Sequence, residues 1–156
     1  MRVAAFSKTA ALLALLVLLP IWGVPAQALP TNSSNAEILT DLPPEQMDIF
    51  SKKMLPEIVE RTKKRWYKLI PKEARAPQQE RAKVMIQFSL YPDGTVGNMV
   101  IVFPSGHVPL DRAAWTAIKG ASPFRAFPPE IKTEELKIRF DFLYNYDDAP
   151  APAKSN

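Results

Sequence analysis

Cysteine is absent from the 156-residue chain, so neither a disulfide framework nor a thiol nucleophile is available to it. Histidine occurs once, at His107, which excludes a multi-histidine metal site and leaves little material for acid–base relays. Glycine is scarce, with five residues against sixteen prolines, and nowhere do the glycines gather into a phosphate-cradling loop. No cofactor or metal is implied. A decisive charge excess is missing too. The apolar fraction, 47%, is ordinary and sufficient for a real core.

The only long apolar run is at the N-terminus. Arg2 and Lys8 precede an unbroken stretch from Ala10 to Leu19, Pro20 ends it, and Ala26-Gln27-Ala28 has the A-x-A form of a processing site. Extended to Val24, the run still falls short of the roughly 20 residues that a spanning helix requires. The reading is a signal peptide over 1–28, with an uncleaved anchor as the alternative. Removal of Arg2 and Lys8 leaves 18 basic against 16 acidic residues, a net of +2, which does not suit nucleic-acid binding. Export of a cysteine-free chain of this kind points to the periplasm.

Val84, Ile86, Phe88 and Leu90 alternate with Met85, Gln87 and Ser89, so one strand carries a wholly apolar row. Asp93-Gly94 then signals a hairpin into Val96–Phe103. The return strand breaks parity, with Met99, Ile101 and Phe103 out of step with Val96, and Gly97-Asn98 could supply a bulge that restores it. Before the hairpin, residues 29–43 read as a tether, with at most a turn of helix over 36–42. Pro43-Pro44-Glu45 starts a helix bearing Met47, Phe50, Met54 and Leu55. Pro56 should kink or restart it, and Ile58, Val59, Thr62 and Trp66 continue its apolar face. The basic cluster Lys63, Lys64, Arg65 and Lys68 suits a solvated helix end. Lys72–Arg81 reads as a loop.

After the hairpin, Pro109 opens a helix with Leu110, Ala113, Ala114, Ala117, Ile118 and Ala121 on one stripe. Trp115 lies off that stripe, at a rim, whereas Trp66 belongs to the core. Phe124 and Phe127 should cap one end of the core. In the last strand Leu136, Ile138, Phe140, Phe142 and Tyr144 face inward and Lys137, Arg139, Asp141, Leu143 and Asn145 outward. The expected fold is α+β: a small three-stranded antiparallel sheet, order 2-1-3, with two helices packed on one face. The domain should span 44–146, followed by a Pro/Ala/Lys tail over 147–156 with the composition of a disordered segment. Ser105, His107 and Asp111 bring a hydroxyl, a base and a carboxylate close in sequence. Ser105-Gly106 is better read as a turn and Asp111 as a helix-start residue, so no enzyme is expected.

These segments together resemble the C-terminal domain of TonB-family proteins (TonB/TolA-like). The resemblance is carried by V-x-I-x-F-x-L-x-x-D-G-x-V from Val84 to Val96 and S-G-x-x-x-L-D-x-A-A-x-x-A-I from Ser105 to Ile118. P-F-x-x-x-P-P from Pro123, F-x-F-x-Y-N from Phe140 and Ile70-Pro71 after Trp66 complete it. It covers about Pro44 to Tyr146 and is more specific for fold than for function. It implies capture of an extended segment of an outer-membrane receptor or envelope protein as an added strand. The outward positions Arg139, Asp141, Leu143 and Asn145 of the last strand are then the expected partner-binding residues. An edge of this kind can alternatively be buried in a homodimer. The resemblance also implies an alternative role: an anchored energy transducer that couples a proton-driven inner-membrane complex to outer-membrane transport. Two departures weigh against that alternative. The long Pro-rich spacer is missing, since Leu29 to Pro44, at about 3.1 Å per residue, is too short to cross a periplasm. The N-terminal apolar segment also lacks the family's histidine. N-terminal sequencing of protein from fractionated cells should begin at Leu29; a membrane-bound product retaining Arg2 would favour the anchored form.

Overall fold

The alternating row that begins at Val84 lies in the interior of an antiparallel sheet. In a computed structural model, which describes residues 31–146, the elements are β1 (Thr31–Ile38), α1 (Pro44–Ile49), α2 (Leu55–Leu69), β2 (Ala82–Leu90), β3 (Val96–Phe103), α3 (Val108–Ala121) and β4 (Leu136–Tyr146). The signal segment over 1–28 and the tail over 147–156 lie outside the described residues. The sheet order is β1-β4-β2-β3. The three expected strands are therefore adjacent in the expected order, but the sheet has four strands, not three. The correction comes from the segment read as a tether. Its sequence, TNSSNAEI, has no apolar alternation to announce a strand; it is extended because β4 offers it a ladder of main-chain hydrogen bonds. No helix among the described residues is long and apolar enough to cross a membrane.

Both apolar rows are buried as their spacing requires: Val84, Ile86, Phe88 and Leu90 on β2, and Leu136, Ile138, Phe140, Phe142 and Tyr144 on β4. β3 recovers parity through one bulge and loses it again at a second. Gln87 pairs with Val100 and Ser89 with Gly97, so three steps on β3 oppose two on β2, and Asn98 takes up the extra residue at φ +48°. This turns Val96, Met99 and Ile101 together onto the core. A second bulge, not foreseen, separates the Ile86–Ile101 pair from the Met85–Phe103 pair. It leaves Val102 and Phe103 in solvent.

The Asp93-Gly94 turn is closed by Gly94 N–H on the Tyr91 carbonyl at 2.8 Å. Thr95 donates both its hydroxyl and its N–H to Asp93, which holds that carboxyl below its ordinary range. Gly94 has φ +82°, and a Cβ there would lie 2.1 Å from the Phe124 carbonyl oxygen. The turn is thus docked against the segment after α3, whose Phe124 N–H donates to the Gly94 carbonyl. Phe124 is buried, and Phe127 meets the edge of Phe50 with ring centres 6.3 Å apart. The aromatic-proline segment covers one end of the core, as its composition suggests.

Proline 56 lacks an N–H, so a continuous helix cannot pass it without losing a bond. The chain inserts a π-helical turn, Phe50–Met54, in which Leu55 N–H reaches back to the Phe50 carbonyl, and α2 then restarts with Pro56 in its first turn. The widened turn points Phe50 and Met54 into the same core as Ile58, Thr62 and Trp66. Trp66 sits at its centre. Its Nε1–H donates to the Tyr144 hydroxyl at 2.7 Å, and that hydroxyl donates to the Leu110 carbonyl at 2.8 Å. One buried phenol therefore joins α2, β4 and the first turn of α3.

Burial pushes the Tyr144 phenol well above its ordinary value, with the Trp66 hydrogen bond opposing the shift. A phenol whose folded pKa is raised contributes its stability fully below the unfolded value, about 10, and loses it as pH rises beyond that. Tyr144→Phe keeps the ring but leaves Trp66 without an acceptor, and should cost about 1–3 kcal/mol at pH 7. Between pH 8 and pH 11 the unmodified protein should lose about 1.4 kcal/mol more than the variant, read from urea midpoints at each pH. Parallel losses in the two proteins would mean that the phenol ionises freely.

Candidate functional site

Strand addition requires main-chain groups left open at a sheet edge. On β4, Lys137 donates its N–H to the Thr40 hydroxyl at 2.8 Å and accepts Leu39 N–H on its carbonyl at 2.7 Å. Main-chain groups of a strand point to alternate sides with period two. Arg139, Asp141 and Leu143 therefore direct theirs the same way, away from β2 and toward β1. Asn145 N–H follows suit, donating to the Asn32 side-chain oxygen at 3.0 Å. The side of β4 expected to be open is thus the side that β1 occupies. β1 pairs antiparallel with it from Ile38 opposite Ile138 to Thr31 opposite Tyr146, with an irregularity between Thr31 and Ser33. β4 is an interior strand, not an edge, because the polar segment before α1 folds back over it.

The side chains named from the sequence lie on the sheet face opposite the helices. There Arg139 pairs with Glu37 of β1 and, at 3.3 Å, with Asp141. Asp141 also meets Lys83 of β2 at 3.2 Å. The result is a four-residue charged network across three strands, half-exposed and correspondingly modest in energy. Leu143, opposite Lys83 and Ser33, is half-buried. Asn145 departs from the rest. It is buried at φ +53°, and its Nδ2 donates to the carbonyls of Ala74 and Glu80, each at 2.8 Å. Its side chain staples the 72–80 loop to the end of β4 rather than facing outward.

The other border of the sheet is β3, and no strand among the described residues pairs with its outer side. The sequence VGNMVIVF carries no charge, and Val100, Val102 and Phe103 are 46–51% exposed. A groove of about 490 Å³ runs beside it, lined by Thr95 to Met99 and by Trp115, Lys119 and Ser122. Trp115 is half-buried there, the rim position its spacing indicated. This exposed apolar border was missed in the sequence because the second bulge is invisible in it.

Ser105 and His107 meet only through the His107 main chain, whose N–H donates to the Ser105 hydroxyl at 3.0 Å. Ser105 donates its N–H and its hydroxyl to Asp111 at 2.8 and 2.7 Å, fixing the start of α3. The His107 imidazole turns away to Glu80 at 3.0 Å. No hydroxyl-to-imidazole hydrogen bond forms between them.

The family model described as the Gram-negative bacterial TonB protein C-terminal matches residues 68–145, from the end of α2 to β4. β1, α1 and most of α2 lie outside that span. Among solved structures, the Helicobacter pylori TonB C-terminal domain, determined by NMR in solution, is 19% identical, with a TM-score of 0.44 over 70% of this chain and 99% of that one. No curated protein matches this chain.

Replacing Asn145 by Ala removes two hydrogen bonds to the Ala74 and Glu80 carbonyls and puts at a left-handed φ a residue that tolerates it less well than asparagine. The expected loss is about 3 kcal/mol in chemical denaturation. Asn145→Gly should recover roughly 1 kcal/mol of it, the backbone part.

Proposed function

The chain belongs to the family of Gram-negative bacterial TonB protein C-terminal domains, and on that premise we propose that it is a periplasmic binding module that captures an extended peptide by strand addition. The partner is a segment of an outer-membrane transporter or another envelope protein. The docking positions are Arg139, Asp141, Leu143 and Asn145 of β4, contributing main-chain donors and acceptors, with the open-face side chains of the first three setting preference.

The observation that supports this reading is β1 itself. The side of β4 away from β2 accepts an eight-residue extended segment in register, and that segment supplies little apolar surface of its own. An edge that binds a mostly polar strand does so through the main chain, which is the chemistry that strand addition uses. The inward row on β4 fixes the register, because a one-residue slip would turn five buried side chains toward water. The positive sheet-face group, Arg139, gives such a site a means of preferring an acidic segment.

The absence of native cysteine makes trapping clean. Single cysteines at Arg139 or Leu143 should form disulfides with cysteine-bearing peptides from outer-membrane receptors, about ten-fold more readily than a cysteine at Lys119 on α3. A cysteine at Val102 tests the opposite border. Trapping at Val102 alone would move the docking strand to β3, and equal trapping at Lys119 would remove strand addition altogether.

A further inference from the structure

β1 is held by its main chain and polar contacts more than by apolar side chains, whereas β3, the other border strand, turns Val96, Met99 and Ile101 onto the core. Of its eight residues only Ala36 is buried, and Ile38 is partly covered. The inward positions Ser34, Ala36 and Ile38 lie opposite Phe142, Phe140 and Ile138. At the first of these the fit is poor: the Ser34 hydroxyl is shut off from solvent with no hydrogen-bond partner. Beyond the ladder, the strand's anchors are polar: the Thr31 hydroxyl on the Tyr146 carbonyl, the Asn32 contacts with Tyr67 and Asn145, the Glu37–Arg139 pair and, just past its end, Leu39 and Thr40 on Lys137. Residues 39–43 join it to α1, so it can leave without carrying the helices along.

We propose that β1 is a resident occupant of the docking edge, released when a partner segment binds, and that its sequence is a template for that segment. The edge then selects an extended peptide that runs as β1 does. It carries small or aliphatic residues at the alternate positions facing Phe142, Phe140 and Ile138, and a carboxylate opposite Arg139. The proposal rests on the strand-addition reading given above. An incoming strand replaces the ladder hydrogen bonds one for one, so the main chain favours neither occupant and the side chains decide. A residue such as valine in place of Ser34 fills the same site without stranding a hydroxyl. The resident strand competes at an effective concentration in the millimolar range, because it is tethered. Apparent affinity for a free segment equals the intrinsic affinity multiplied by the small fraction of molecules with β1 out of place. Occupancy also shields the edge from indiscriminate pairing until a better-matched segment arrives.

The test uses the full chain and two variants. Asn35→Pro removes a main-chain donor from β1 and leaves β4 untouched. The pair Asn35→Cys with Asp141→Cys, directly opposed in register, locks β1 when oxidised. The probes are fluorescent octapeptides with the sequence of residues 31–38, the same peptide with Ser34→Val, and one with Glu37→Lys. Binding to Asn35→Pro should be at least ten-fold tighter than to the unmodified chain. The valine peptide should bind about five-fold tighter than the native one and the lysine peptide about ten-fold weaker. The oxidised pair should bind none, and the reduced pair, although it lacks the Asp141 carboxylate, should bind through the β4 main chain at least ten-fold more tightly than the oxidised pair. In the unmodified protein, the amides of residues 33, 35 and 37, which face β4, should exchange with deuterium at least 100-fold faster than those of residues 84–90; equal protection would overturn the proposal even if Asn35→Pro fails to fold. So would absence of peptide binding to the reduced pair at millimolar concentration. If receptor peptides bind the oxidised and reduced pair alike, β1 does not occupy the docking edge and this proposal fails, while capture itself survives at another border. If the octapeptides behave as expected and no receptor peptide binds, resident-strand exchange stands and the proposed receptor partnership falls.

Discussion

The Tyr144 hydroxyl accepts the Trp66 indole N–H and donates to the Leu110 carbonyl, and three elements meet at that oxygen. Trp66 comes from α2, Tyr144 from β4 and Leu110 from the first turn of α3. Around it the rings of Trp66, Tyr144 and Phe142 pack edge to face, with centres 4.9 to 5.2 Å apart. Buried polar groups are costly unless each is paired, and here both are. The relay therefore tolerates only one placement of the helices on the sheet. With the helices fixed on that face, the other face and both borders of the sheet are left for interaction.

The two borders are built on opposite terms. β3 is held by apolar side chains and presents an uncharged, partly apolar outer side. β4 is closed by a polar strand held mainly by its main chain. An edge of the first kind gains affinity from side-chain burial and an edge of the second kind from backbone pairing, so they suit different partners. The proposed strand capture draws on the second. The charged network of Glu37, Arg139, Asp141 and Lys83 adds a preference without adding much energy, because every member keeps part of its side chain in water.

Much of this was legible in the chain itself. The apolar rows at 84–90 and 136–144, the alanine stripe of α3, the hairpin at Asp93-Gly94 and the restart at Pro56 are local patterns, and local sterics and periodicity are enough to specify them. The first bulge was readable too, since Gly97-Asn98 combines two residues tolerant of left-handed backbone with a break in parity. The family resemblance followed from the order of these signals.

What the sequence could not express is pairing between distant segments. TNSSNAEI becomes a strand only because β4, more than a hundred residues later, presents unpaired donors and acceptors to it. Nothing in its own side chains distinguishes it from a tether. The same holds for Asn145, which reads as one more outward position in an alternating strand. Its amide is drawn inward by the carbonyls of Ala74 and Glu80, a contact that exists only once the 72–80 loop lies against β4. The sequence determined which faces are buried, because burial follows side-chain chemistry repeated at a fixed period. Only the tertiary structure decided which edge is occupied, because edges are satisfied by backbone groups that every residue carries alike.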